Sequence, residues 1–323
     1  MNKVLMSDCK SLDKTNVIFK ARMANLVIKS LLYFPIDNWG VKKSIEVKTG
    51  YANLVEEHPG DHKLKDVEEE KYLGDMISTN GSNLKNVLSR KEKAVGVIKQ
   101  IESILNDICF GSFHFEVAIM LRDSLFLNSI LTNSEAWYRL RKHEIEILER
   151  CDENLLRKFV EAPCTTPKCM LYLEIGCKPA RFLIMSRRLM FLHYILNEES
   201  SSLLSRFFKV QVKFPDRDDW CSVIFQDLEY LDIHLTFDQI QASSKQQFKK
   251  LVDQSINDKD FQFLIDEKNQ LRKVSHIQYK KLTMQNYLKT KSVSIQMAKF
   301  IFILHSRMLD ISEQSLFKSL PSL

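Results

Sequence analysis

At 323 residues, with 45% hydrophobic and 27% charged residues, the chain can bury a sizeable core and is too apolar to be disordered. Eight glycines and seven prolines leave room for few tight turns, which disfavours a many-stranded β fold and favours long helices. The formal net charge is +6, no apolar run approaches the roughly 20 residues that span a bilayer, and seven cysteines without paired spacing argue against a disulfide framework. Lys3, Asp8 and Lys10 interrupt any secretory pattern, so the expected location is intracellular, nuclear or cytoplasmic, with no membrane partner. Cys164, Cys169 and Cys177 are close in sequence but form no Cys-x-x-Cys pair, and buried free thiols are expected rather than a zinc site.

Along the chain, residues 1–62 form a poorly defined segment with a candidate helix over 16–34, ended by Pro35, and a short strand over 44–50. A strand pair is expected next, over 63–67 and 71–78, around an acidic turn at 68–70 and closed by Asn80-Gly81. Helical periodicity then dominates. Asn83 caps a helix carrying Val87, Val95, Ile98, Ile101, Leu105 and Ile108, stopped by Gly111. A stripe from Phe115 to Ile130 follows, and then one from Ser134 to about Val160. Thr166-Pro167 opens a short helix that Gly176 ends, with Thr as N-cap, and Pro179 opens another to about Leu196. Further helices are expected over 203–212, 218–231, 236–254, 258–268 and 293–309. Short connections favour antiparallel neighbours. The fold expectation is therefore mainly α: antiparallel helical bundles with a small β hairpin near the N-terminal third. Three parts are expected: 1–62, 63–200 with the hairpin and a helical domain, and 201–323 with a basic tail.

Charge is unevenly placed. Residues 268–309 hold nine lysines and arginines and no acid, more than the whole chain's net charge. Tyr279 and Tyr287 are interleaved with Lys280 and Lys281, an arrangement of cations for phosphates and rings for stacking that single-strand binders use. His276 and His305 lie in the same tail. Arg90, Lys91 and Lys93 follow the expected hairpin on a helix with Glu92 as the one acid among them, and Arg181, Arg187 and Arg188 form a second cluster. The alternative for each set is a solvated helix face, or an arginine stem snorkelling from a buried helix.

Tyr72-Leu73-Gly74, within Lys71 to Ser78 and followed by Asn80-Gly81 and a basic helix, resembles the Tyr-Leu-Gly hairpin of reverse transcriptases from non-LTR (LINE-type) retrotransposons. Leu131 to Trp137 is similar to that family's Tyr-Gly-x-Glu-x-Trp segment, and Leu155-Leu156-Arg157 to its Leu-Leu-Arg helix. The stretches from Thr166-Pro167 to Glu174 and from Pro179-Ala180-Arg181 to Leu196 resemble its later helices in order and spacing. The resemblance covers about residues 63–309 and is best over 71–200. It implies a thumb and post-thumb region in which Tyr72, Leu73 and Gly74 form a primer-grip-like element. It also implies RNA or DNA as a partner, through Arg90, Lys91, Lys93, Arg181, Arg187, Arg188, Tyr279, Lys280, Lys281 and Tyr287.

The departures from the family matter as much. Polymerisation there needs an aromatic-x-Asp-Asp turn and a further Asp, which hold two Mg²⁺ ions. The one adjacent Asp pair here, Asp218-Asp219, lacks flanking apolar strands and follows the Tyr-Leu-Gly motif instead of preceding it, so helix N-capping is expected of it. No catalytic residue and no cofactor is therefore expected in this chain, Mg²⁺ belonging to the intact family enzyme, whose palm and fingers would be a further partner. Three readings stand at this point. One is a retrotransposon-derived fragment that binds nucleic acid without sequence preference and does not polymerise alone. The others are a helical module that binds an acidic protein partner, and the C-terminal part of a longer RNA-directed DNA polymerase whose palm lies upstream.

Overall fold

The computed structural model describes residues 69–72, 75–78, 82–107, 113–137, 140–213, 219–290 and 292–306. The helix over 16–34, the strands over 44–50 and 63–67, Leu73, Gly74 and Asp218 lie outside them, as does the side chain of Tyr72. The described chain is mainly helical. No helix among the described residues is long and apolar enough to cross a membrane.

Two strands come first, β1 (Glu69–Tyr72) and β2 (Asp75–Ser78), paired antiparallel with Glu69 opposite Ser78 and Tyr72 opposite Asp75. The acidic residues Glu69 and Glu70 therefore lie within β1, not in a turn as their charge suggested. Alternating side chains on a two-stranded ribbon can both stay in water, so acidity does not exclude them from a strand.

Helices follow in order: α1 (Leu84–Asp107), α2 (His114–Leu121), a π-helical turn (Arg122–Phe126), α3 (Leu127–Ile130) and a 3₁₀ turn (Ser134–Ala136). Then come α4 (Lys142–Val160), α5 (Lys168–Ile175), α6 (Ala180–Leu196), α7 (Leu203–Val212) and α8 (Trp220–Tyr230). The last four are α9 (Phe237–Ala242), α10 (Lys245–Asn269), α11 (Asn286–Lys289) and α12 (Ile295–His305).

Several ends follow local chemistry. Asp219 caps α8, its Oδ1 accepting from Ser222 N at 3.0 Å, as expected for the Asp pair. Gly176 ends α5 in the left-handed region at φ 75°. Two expectations fail. Pro167, not Thr166, takes the N-cap position of α5, and the buried Thr166 hydroxyl has no hydrogen-bond partner. The expected break near residue 255 is absent, because the chain breaks earlier, at Ser243. There Ser244 opens α10 with a capping box to Gln247, and a buried row at every fourth residue (Phe248, Val252, Ile256, Asp260, Leu264, Lys268) carries the helix through.

Contacts divide the chain into two compact units, neither contiguous in sequence. Of the described residues, the first comprises those within 69–86, 136–140 and 197–225. Within it Met76 N donates to Asn86 Oδ1 at 3.4 Å, and Phe208 meets Trp220 edge to face at 6.2 Å. The second comprises the described residues within 87–135, 141–196 and 226–306. At its centre lies α5, buried from Cys169 through Ile175, whose apolar residues face nearly every direction and must be enclosed, Glu174 with them. α4 and α10 pack on α5; α6 packs on α4, α9 and α10; α12 packs on α4 and α11.

Candidate functional site

Enclosing α5 encloses Glu174, whose side chain is 0% exposed. An isolated carboxylate there would cost several kcal/mol. The C-terminal segment answers it with three donors: Tyr287 Oη at 2.7 Å, His305 Nδ1 at 2.7 Å, and Tyr279 Oη. The backbone is drawn in as well, Gln285 N donating to Glu174 O at 2.9 Å. Two residues on, Gly176 lets the chain cross: a Cβ there would stand 1.9 Å from Met284 N. One glycine thus both ends the helix and admits the crossing strand of chain.

Electrostatics follow from this geometry. Burial, then the Glu174 charge, pushes the Tyr279 and Tyr287 hydroxyls far above their ordinary pKa, so both stay protonated donors. The hydrogen bond to Glu174 raises the His305 imidazole, against its partial burial. His305 also lines an open cavity of about 560 Å³ with His276, Ile277, Gln278, Tyr279 and Gln285.

A second polar centre lies in the same unit. Where the chain winds into its π turn, Arg122 enters the core and grips Asp152 with two hydrogen bonds, from Nε at 2.7 Å and Nη2 at 2.6 Å. Nη2 also donates to Lys178 O at 2.9 Å, Nη1 to Asp123 at 2.9 Å, and Tyr172 Oη reaches Asp152 at 3.2 Å. Burial is the largest influence and works against the Arg122 charge, but Asp152, Cys177 and Tyr172 together favour it, and the guanidinium is held well above its ordinary pKa. Asp260 is as buried, yet neither of its carboxylate oxygens has a hydrogen-bond partner. Burial pushes its pKa up to about 7, against the attraction of Lys178 and Arg122.

Most of the sequence-proposed binding residues are occupied within the fold. Arg90 is buried and donates to Ser129 O at 3.1 Å and Thr132 O at 3.4 Å. Arg187 joins it on the same chain turn, through Leu131 O and Asn128 Oδ1. These carbonyls lie at the end of α3, where cations are favoured. Arg181 grips Glu149 at 2.6 Å through both Nε and Nη2 and stacks over Phe263, with 4.6 Å from Cζ to the ring centre. Arg188 is buried against Asp227 at 2.7 and 2.8 Å. Tyr279 and Tyr287 spend their hydroxyls on Glu174. Each of these six would have to break an internal contact to engage a phosphate fully or to stack on a base.

Lys91, Lys93, Lys280 and Lys281 are exposed. Within the basic tail the charge thins further: Lys268 is buried, donating to Ser275 O and Ile277 O, and Lys299 pairs with Glu161 at 2.7 Å. Arg272, Lys273 and Lys289 are exposed, while Lys291 and Arg307 lie outside the described residues.

Cys169 and Cys177 are buried free thiols as expected, raised by burial to about 11 and about 12. Cys164 corrects that expectation, being exposed on the loop before α5. Among the described residues no three His, Cys, Asp or Glu side chains gather as a ready metal cluster. No protein-family model, curated protein or solved structure matches the chain.

Glu174, Arg122, Asp152 and Asp260 escaped the reading of the sequence. A signal existed for each: a charge standing where an apolar stripe places a core residue. Asp152 is four residues from Leu148 and three from Leu155, and Asp260 is four from both Ile256 and Leu264.

Proposed function

We propose that this chain is a fragment of retrotransposon reverse-transcriptase descent, the thumb and post-thumb region, which binds RNA or DNA without sequence preference and does not polymerise by itself. The observation that carries this reading is the ordered series from Tyr72-Leu73-Gly74 through Leu131–Trp137, Leu155-Leu156-Arg157 and Thr166-Pro167 to Pro179-Ala180-Arg181. Any one of these short motifs is common; all of them in order and spacing are not. One local detail supports the alignment. Asn133 stands at the glycine of the family's Tyr-Gly-x-Glu-x-Trp segment and has φ 61°, a conformation asparagine tolerates better than most residues. In this reading Tyr72, Leu73 and Gly74 form a primer-grip-like hairpin and the helices after it form antiparallel bundles.

Binding would fall to the exposed cations Lys91, Arg272, Lys280, Lys281 and Lys289, each phosphate contact releasing counterions. The buried or paired arginines would then serve as scaffold. A filter-binding titration against single-stranded RNA and DNA tests this. Micromolar or tighter binding at low salt should weaken as salt rises. Lys280→Gln with Lys281→Gln should flatten the slope of log K against log salt by roughly 1 to 2. An absence of retained nucleic acid at the lowest salt removes the binding activity.

A further inference from the structure

The cavity that His305 lines is chemically unlike the chain around it. It opens within the stretch where nine cations occur without one acid, yet among the described residues no lysine or arginine lines it. Its volume of about 560 Å³ falls within the roughly 300–1,000 Å³ of small-ligand sites. Three aliphatic residues, Ile277, Ile301 and Leu304, give it apolar walls, and Gln278 and Gln285 place two amides among them. Lys280 and Lys281 follow the lining residue Tyr279 directly and are exposed. A guest matched to both parts is neutral and hydrogen-bonding where it enters the cavity, and anionic just outside it.

The rings and polar groups narrow the class of guest. Tyr279 and Tyr287 are held by Glu174, so the aromatic face left for stacking is the His276 imidazole, exposed on the cavity. His305 donates from Nδ1 to Glu174 at 2.7 Å, and that contact favours the protonated ring, whose Nε2 is a second donor. An imidazolium offers a proton, and each amide offers both a donor and an acceptor, which is what the polar edge of a nucleobase requires. A base has flat apolar faces and is several ångströms across. Residues spread around one cavity can therefore all meet it without converging on a single atom.

We propose that this cavity takes one base of a bound single strand. His276 stacks on its face, Gln278, Gln285 and His305 meet its edge, and Lys280 and Lys281 hold the adjoining phosphates. The proposal rests on the nucleic-acid reading above and adds to it a contact that charge alone does not make.

The test compares two fluorescein-labelled strands of about twelve nucleotides by anisotropy with the full chain: an oligouridylate and its abasic counterpart with the same number of phosphates. At equal salt the oligouridylate should bind about tenfold or more tightly than the abasic strand. His276→Ala should remove most of that advantage while leaving the abasic affinity and the slope of log K against log salt unchanged. The residue is exposed, so the circular dichroism spectrum should not move. Lys280→Gln with Lys281→Gln should do the converse, weakening both strands alike. Equal affinity for the two strands, or an advantage that His276→Ala leaves intact, overturns the base site while the phosphate reading stands. Binding of neither strand at the lowest salt overturns both.

Discussion

Asp152 and Asp260 are the same residue type, both 0% exposed and both in the second compact unit, yet the fold treats them oppositely. Asp152 receives two hydrogen bonds from Arg122 and one from Tyr172, and its burial is met by an opposite charge in fixed geometry. Asp260 receives none, and sits in an apolar row between Ile256 and Leu264 with Arg122 and Lys178 acting only at longer range. Burial alone therefore does not decide whether a carboxylate here is compensated; the donors that the fold supplies do.

Removing the donor should collapse the distinction. Arg122→Ala leaves Asp152 buried and uncompensated, and urea unfolding should register a loss of about 3–5 kcal/mol. A loss under about 1 kcal/mol would mean that water already reaches Asp152, and the contrast would fail.

Asp260 sharpens the comparison through pH. Its folded pKa of about 7 stands above the ordinary 3.8, so the folded state binds a proton that the unfolded chain does not. Its penalty on stability is absent below pH ~4, grows as pH rises, and is complete above pH ~7, at most on the order of 4 kcal/mol. Denaturant midpoints from pH 4 to 8 should fall more steeply for the native sequence than for Asp260→Asn. Parallel curves would show that Asp260 finds a partner in solution.

The Glu174 centre is the satisfied case built from backbone as well as side chains. Gly176→Ala forces a β carbon into the 283–284 backbone at a positive φ, and thermal unfolding should show a loss of roughly 1–3 kcal/mol. The smallest expected effect lies at the surface. Ser244→Ala removes the N-cap of α10, where Ser244 Oγ accepts from Gln247 N at 3.2 Å, at a cost of about 1 kcal/mol. An unchanged midpoint would show that the buried row of α10 alone fixes where that helix begins.

The helical content, the ends at Gly176, Asp219 and Leu203–Val212, and the scarcity of strand were legible in the sequence. Apolar period, caps and breakers act over a few residues, and their chemistry is local. The join of two expected helices into α10 was less legible. Asn257 and Asp258 are weak helix formers, and the burial of Phe248, Val252, Ile256 and Leu264, in a helix that packs on α5 and α6, overrides them. Likewise, the cluster of positive charge at Arg181, Arg187 and Arg188 reads in sequence as one basic patch. In the fold these residues turn to Glu149, to the end of α3 and to Asp227, which are 32, 56 and 39 residues away.

What the chain's order of residues determined unaided is most of its helices and several of their ends, because hydrogen bonds within a helix and the caps that close it join neighbours. What only tertiary structure decided is which charges remain free, because an ion pair joins residues with no fixed spacing in sequence. Glu174 became a centre when a segment more than a hundred residues later folded back over it, bringing Tyr279, Tyr287 and His305 within reach of its carboxylate.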